Sequence, residues 1–370
     1  MQGYSEYELG DLLEYEQPTA YIVESTDYSD SYSVPVLTAG KSFILGYTNE
    51  MEGVFDKTPV IIFDDFTTAT QYVNFPFKVK SSAMKILHIN KDLVLPKYIY
   101  YRIQIIQFDH STHKRYWIQQ YSKIRVSIPP IPEQERIVAR IEELFSQLDA
   151  GVETLKKTKA QLAVYRQAVL KEAFEKVTIQ VPLGSISESR LGKMLDKEKN
   201  VGEPRRYLSN INVRWFSFDL SDLLEMRIED SEVDKYSLRK GDLVICEGGE
   251  PGRCAVWETD DTIFYQKALH RVRFTDFSNP KFYMYFLWYA AQTGRLKPFF
   301  TGTGIKHLTG QSLVKILVPT TDRENQNSIV NEIESRLSVC DSIEQTVDAT
   351  LQQAEAMRQS ILKDAFEGRL

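Results

Sequence analysis

A chain of 370 residues, 42% hydrophobic and 26% charged, is long enough for two globular units with connectors rather than one core. No apolar run reaches the length of a membrane span, and the acidic stretch from Met1 to Glu16 is unlike a signal peptide, so a cytoplasmic protein with no membrane contact is expected. Cys246, Cys254 and Cys340 form neither a CxxC pair nor an even disulfide framework, and the five histidines lack ligand spacing, which argues against a metal centre.

The net charge of −6 is unevenly spread. Residues 1–128 carry 12 basic and 15 acidic groups, 129–180 carry 8 and 8, 181–318 carry 20 and 18, and 319–370 carry 5 and 10. A chain this weakly charged can still read DNA where basic side chains converge on one face, with a modest phosphate contribution.

Residues 1–128 read as a mixed domain dominated by short strands. Val34–Leu37, Val60–Phe63, Tyr72–Phe75 and Met84–Ile89 are β-branched and aromatic runs bounded by turn formers. A helix is predicted from Leu95-Pro96 through Ile106, then a strand over Lys123–Ile128. Thr38-Ala39-Gly40-Lys41-Ser42 ends like a phosphate-binding loop, but Pro35 stands where the first glycine belongs, so the nucleotide reading fails. Either a plain turn or a DNA-facing loop fits it, with Lys41 and Ser42 as phosphate or base-edge donors. The polar run Thr67, Thr68, Thr70 and Gln71 carries the same two readings, and Lys80 and Ser81 join these candidates.

Pro129-Pro130-Ile131-Pro132 leads into a proline-free stretch with apolar residues at three- and four-residue steps: Ile137, Ile141, Leu144, Leu148, Val152, Leu155, Leu162, Val169 and Ala173. A long helix is predicted within 129–180. At about forty residues it would be roughly 60 Å long, too long to bury its stripe in one small domain, so the stripe needs a partner helix.

Residues 181–318 form a second mixed domain, opened by Val181-Pro182-Leu183-Gly184 much as Tyr7-Glu8-Leu9-Gly10 opens the first. A basic loop holds Arg190, Lys193, Arg205 and Arg206. Gly241-Asp242-Leu243 leads into Gly248-Gly249-Glu250-Pro251-Gly252-Arg253, whose glycines demand tight turns beside a strand. Cys254–Trp257 is predicted as a further strand. Gln266 to Arg273 alternates polar with apolar residues, which predicts a half-exposed strand whose polar face is either solvated or DNA-facing. Gly249, Arg253, Gln266, Lys267 and His270 are therefore candidates, as are Thr303 and Lys306 in the later Thr301–Leu308 loop.

The stretch 319–370 then repeats the first helix. At an offset of 192 residues, Gln134, Ile137, Val138, Ile141, Glu142, Ser146 and Asp149 return as Gln326, Ile329, Val330, Ile333, Glu334, Ser338 and Asp341. Arg166-Gln167, Leu170-Lys171 and Ala173-Phe174-Glu175 return as Arg358-Gln359, Leu362-Lys363 and Ala365-Phe366-Glu367. The second stripe runs through Ile329, Ile333, Leu337, Cys340, Ile343, Val347, Leu351, Ala354 and Ile361. Such a duplication, with short connectors, predicts an antiparallel pair of long helices and two domains related by a pseudo-twofold axis.

These residues resemble a known family along essentially the whole chain. The Pro-Pro-Ile-Pro-Glu-Gln-Glu-Arg-Ile-Val opening at Pro129–Val138, its Leu-Lys-Glu-Ala-Phe-Glu close, Gly241–Leu243 through Arg253, and Thr301-Gly302-Thr303-Gly304-Ile305-Lys306-His307-Leu308 are similar to the specificity (S) subunit of Type I restriction-modification enzymes. The second helix departs from the pattern: Val318-Pro319-Thr320-Thr321-Asp322 is poorer in proline, which leaves its lead-in geometry open. The resemblance implies an α+β fold of two pseudo-twofold-related mixed α/β target recognition domains joined by two long antiparallel, coiled-coil-like helices. It implies a non-catalytic reader with no cofactor of its own, each domain reading one half of a bipartite, asymmetric site in double-stranded DNA. The implied protein partners are two methyltransferase (M) subunits, which methylate adenine N6 from S-adenosylmethionine, and restriction (R) subunits through them.

Two other classes fit parts of the sequence. A coiled-coil scaffold for protein partners would suit the helices and the acidic balance. A self-contained DNA methyltransferase would need an Asn/Asp-Pro-Pro-Tyr-like tetrad, and Asn279-Pro280-Lys281-Phe282 lacks its second proline.

Overall fold

The computed structural model describes residues 3–40, 42–108, 115–196, 198–275 and 277–370. By contact, the chain divides into two units, residues 1–155 with 349–370, and residues 156–348.

In chain order the first unit contains β1 (Ser5–Glu8), α1 (Leu9–Leu12), β2 (Leu13–Glu16), β3 (Val34–Leu37), β4 (Ile44–Thr48), β5 (Val60–Asp64), β6 (Thr70–Val73), β7 (Lys78–Val79), β8 (Met84–Ile89), α2 (Pro96–Gln104), α3 (Tyr116–Gln119) and β9 (Arg125–Ile128). The long helix α4 (Ile131–Glu175) follows. Next come β10 (Gln180–Pro182), α5 (Leu183–Ile186), β11 (Ser187–Leu191), β12 (Glu203–Leu208), β13 (Leu224–Ile228), α6 (Val233–Tyr236), β14 (Leu243–Cys246), β15 (Cys254–Val256), β16 (Phe264–Tyr265), β17 (Leu269–Phe274), α7 (Pro280–Gln292), α8 (Gly310–Leu313) and β18 (Leu317–Pro319). The second long helix, α9, spans Arg323–Phe366.

Both units use one plan. The first has a four-stranded sheet ordered β2-β8-β5-β6 and a three-stranded sheet ordered β4-β3-β7; the second has β11-β17-β14-β15 and β13-β12-β16. In each three-stranded sheet one neighbouring pair is parallel, β3 with β7 and β12 with β16. A short antiparallel ribbon closes each unit where its long helix begins, β1 with β9 and β10 with β18. One face of each central strand feeds the helical core and the other feeds the core between the sheets, as the period of two requires: Ile61 and Phe63 against Val60 and Ile62, Leu243 and Ile245 against Val244 and Cys246.

The apolar stripes meet antiparallel helix segments inside each unit. Ile137, Ile141 and Phe145 of α4 share a core with Leu362 and Ala365 of α9, while Val169, Leu170 and Phe174 share another with Val330, Ile333 and Leu337. Burial at these ends is close to complete, whereas Leu144, Leu148, Val152 and Leu155 are half-buried, and Ile343 is 40% exposed where the stripe places it inside. The ends of the stripe also meet sheets and short helices. Phe174 packs edge-on against Phe282 and Phe286 of α7, and Phe366 against Tyr98 of α2, contacts made by the recurring phenylalanine of each repeat.

Most predicted strands form within a residue or two. β6 starts at Thr70, two residues before the predicted run, because Ala69 and Thr70 already continue the β5 turn. β17 departs more: its first four residues are all buried, where a half-exposed polar face is expected. Its polar groups find partners inside, His270 on the Leu308 carbonyl and the Arg271 guanidinium on the Ser237 carbonyl.

Candidate nucleic-acid interface

In the second unit β14 and β15 are joined by the turn Glu247–Arg253. Gly249 and Gly252 adopt φ of +74° and +94°, and a Cβ on Gly249 would lie 2.7 Å from Asn210 Nδ2. Asn210 Nδ2 donates to the Gly248 carbonyl at 2.7 Å. Arg253 donates to the Asn210 carbonyl and to Glu250, each at 3.0 Å, and Trp215 Nε1 donates to Glu250 at 2.7 Å. Arg253 therefore fastens the turn.

Beside it the loop Thr301–His307 closes on itself through reciprocal backbone hydrogen bonds of 2.8 and 3.0 Å. The Leu308 N–H donates to the Glu247 carbonyl at 2.7 Å, joining loop to turn. Between them lies a groove of about 590 Å³ lined by Asn210, Glu247, Gly248, Gly249, Lys267, Ala268, Thr301, Gly302, His307 and Thr309. Lys267 is exposed on one wall, and the groove offers amide, hydroxyl, imidazole and ammonium groups suited to base edges and phosphates. Behind it His270 is buried; Nε2 donates to the Leu308 carbonyl at 3.0 Å. Burial pulls the His270 pKa below its ordinary 6.5, against Glu247 and the Leu308 carbonyl.

The first unit builds a counterpart from different side chains. Asp64 Oδ1 accepts from the Phe66 and Thr67 N–H groups at 2.9 and 2.8 Å, turning the chain into Thr68 at φ +57°. A groove of about 580 Å³ is lined there by Ala39, Gly40, Thr67, Thr68, Ala69, Thr70 and Gln71, with Ile103, Gln104, Ile106, Tyr121 and Gln359. Behind it sits a buried pair, Lys85 Nζ 3.4 Å from Asp65 Oδ2, with Lys85 donating to Gln17 at 2.6 Å and Asp65 Oδ1 accepting from the Trp117 N–H at 2.8 Å. The Tyr116 N–H donates to the Asp65 carbonyl as Leu308 does to Glu247.

The candidate residues are thus partly gathered and partly dispersed. Thr67, Thr68, Thr70 and Gln71 share the first groove, Gly249 and Lys267 the second. Thr303 and Lys306 are exposed on the adjoining loop; Ser42, Ser81 and Arg206 are exposed; Lys80 lies over the Tyr28 ring at 5.8 Å. Lys41 lies outside the described residues. Of the basic loop, Lys193 is buried on Glu232, Arg205 meets Asp230 at 2.9 Å and Arg190 meets Glu188 at 3.4 Å. Gln266 is half-buried, bridged in parallel to Lys193. Asn210, Thr301, His307 and Thr309 are groove residues outside the candidate set; Thr301 and His307 lie in the Gly302/Gly304 loop that the sequence already singles out, whereas Asn210 and Thr309 stand in neither a charged nor a glycine-rich run.

A second groove in each unit lies against the long helices. In the first it is lined by Tyr100, Tyr101, Glu142, Phe145, Ser146, Asp149, Glu355 and Arg358 among others; in the second by Arg166, Phe216, Tyr285, Trp288, Glu334, Leu337, Ser338 and Asp341. Burial, aided by Glu142, pushes the Tyr101 phenol up to about 12, keeping it neutral. The recurring residues of the repeat occur in both grooves: Glu142 and Glu334, Ser146 and Ser338, Asp149 and Asp341, Arg358 and Arg166.

Comparison with known proteins adds three findings. Residues 1–164 match the family model of the Type I restriction modification DNA specificity domain. The chain is 45% identical over 174 residues, 44% of its length, to the Type I restriction enzyme EcoR124I/EcoR124II specificity subunit of Escherichia coli, and 25% identical over 275 residues, 68% of its length, to the EcoKI specificity subunit of Escherichia coli strain K12. These matches take in 43% and 58% of the relatives, so the chain spans about half the length of the curated relatives it matches. In fold, the whole chain covers 99% of a chain from a type I R-M system solved for its complex assembly and conformational transition, with TM-score 0.76 and 16% identity. It likewise covers 98% of the HsdS subunit from Thermoanaerobacter tengcongensis, with TM-score 0.59 and 16% identity. At these identities the structural likeness is one of fold.

Proposed function

We propose that the chain is a non-catalytic DNA reader whose two units each recognise one half of a bipartite, asymmetric site; the match of residues 1–164 to the family model of the Type I restriction modification DNA specificity domain and the likeness of the whole chain in fold to an HsdS subunit support this reading. The observation that carries this reading is the contrast between frame and groove. Both units use the same strand order and the same fastening of turn to loop, yet the groove side chains differ, threonines and glutamine in one, Asn210, Lys267 and His307 in the other. Two different surfaces on one frame suit two different half-sites.

The repeated helices supply the rest of the proposal. Identical polar residues in the two helix grooves suit two copies of one partner, for which two methyltransferase subunits are the fitting occupants, with restriction subunits joining through them. The helices then set the distance between half-sites. No helix among the described residues is long and apolar enough to cross a membrane, and a cytoplasmic place beside the genome follows from the proposed role.

The test is a genome-wide map of methylated adenines in cells with the chain present, deleted, or carrying the second unit of another member. A bipartite motif should vanish on deletion and change in one half only on the swap. Methyl transfer from S-adenosylmethionine by the isolated chain would overturn the non-catalytic part. Unchanged methylation on deletion would favour a protein scaffold.

A further inference from the structure

We propose that Ile305 reads the 5-methyl group of a thymine in the half-site of the second unit. This rests on the DNA-reading role proposed above. Ile305 is 74% exposed and belongs to none of the apolar clusters among the described residues. A single exposed apolar side chain is ordinarily unremarkable; the scaffold holding this one is not. Thr301 and His307 lock the loop base by their reciprocal backbone bonds, and Leu308 fastens it to Glu247. Lys306 Nζ donates to the Gly302 carbonyl at 2.7 Å, which draws its ammonium onto the loop. Gly302, at φ +93°, lets the chain fold so tightly that a Cβ there would come within 2.3 Å of the Ile305 carbonyl. The loop is thus ordered around a tip that presents a branched hydrocarbon to water, with a cation beside it and the polar groove of Lys267 and His307 at its foot.

An apolar tip flanked by donors matches the major-groove edge of an A·T pair, where the thymine methyl is the one apolar group among hydrogen-bonding atoms. The cation at its side suits the phosphates that flank such an edge.

The test uses the assembled methyltransferase on duplexes carrying its methylated motif, with each thymine of the second half-site replaced singly by deoxyuridine, which lacks only the methyl. Wild type should bind one such duplex severalfold more weakly than the thymine duplex. Ile305→Ala should bind the thymine duplex more weakly and show no thymine–uracil difference at that position, while Ile305→Val keeps it. The exposure of Ile305 leaves folding untouched, and equal assembly of the variants checks this. A half-site indifferent to every thymine–uracil exchange, or a difference that persists in Ile305→Ala, overturns the proposal. Failure of the wild-type complex to prefer its motif over random duplex would instead strike the reading on which it rests.

Discussion

Gln134 shows what a recurring residue can be for. Its side chain accepts from the Leu95 N–H at 2.7 Å and donates to the Pro129 and Leu93 carbonyls at 2.9 and 3.2 Å. Gln326 accepts from the Asn279 N–H at 2.7 Å and donates to the Thr321 carbonyl at 2.9 Å. Each glutamine is buried and ties the start of α2 or α7 to the first turn of its long helix. The proline-poor lead-in of α9 therefore reaches the same geometry as that of α4. Gln134→Leu or Gln326→Leu would keep the volume but strand buried backbone groups, at about 1–3 kcal/mol each. Chemical denaturation should show that loss in both variants, and a change within error would show the ties to be dispensable.

At the same scale, His270 makes the second unit acid-sensitive. Its pKa in the folded chain is lowered by burial, so the unfolded chain takes up the proton first. Its contribution is fully present above its ordinary 6.5 and is lost as the pH falls below that value. Wild type should lose thermal stability between about pH 7.5 and about pH 5.5, and His270→Gln should flatten that slope whatever its own offset in stability. An equally steep slope in the variant would assign the acid sensitivity elsewhere.

Among elements, the two long helices are held by ion pairs that the repeat makes reciprocal. Arg166 of α4 meets Asp341 of α9 at 2.7 Å, and Arg358 of α9 pairs with Asp149 of α4. The same two recurring residues thus serve both units with their helices exchanged, as an antiparallel duplication requires. Asp341 is 63% and Asp149 61% exposed, so each pair is worth about 0.2–1 kcal/mol. A double-mutant cycle on Arg358→Ala and Asp149→Ala should return a coupling within that range, falling with added salt; a larger, salt-independent coupling would point to a role beyond pairing.

Periodicity and recurrence make the helices, their partnership and most strands legible, because these depend on local spacing. That the two domains share a plan is expected from the duplication, but the strand order of their sheets is not legible in sequence, since it depends on long-range pairing and the paired residues differ. The exposure of β17 was hidden for a related reason. Whether His270 faces water or the Leu308 carbonyl is decided by a loop some forty positions on. Groove residues such as Asn210 were unreadable for the same cause, being assembled from four separate segments.

For the whole molecule, the proposal that the helices set the gap between half-sites has a direct test. The chain passes between units within α4 at Leu155–Lys156 and within α9 at Asp348–Ala349. Four residues inserted at both points leave every helix contact inside a unit in register, including Lys159 with Asp348 at 2.7 Å and Arg166 with Asp341. Each insertion adds about one turn and about 6 Å of helix, against a duplex rise of 3.4 Å per base pair. The methylated motif should keep both half-sites and lengthen its central gap by about one or two base pairs. Two residues at each point rotate the following segment by roughly 200° and should abolish methylation of any bipartite motif. An unchanged gap in the four-residue variant, with both half-sites still read, would refute the helices as the spacing element.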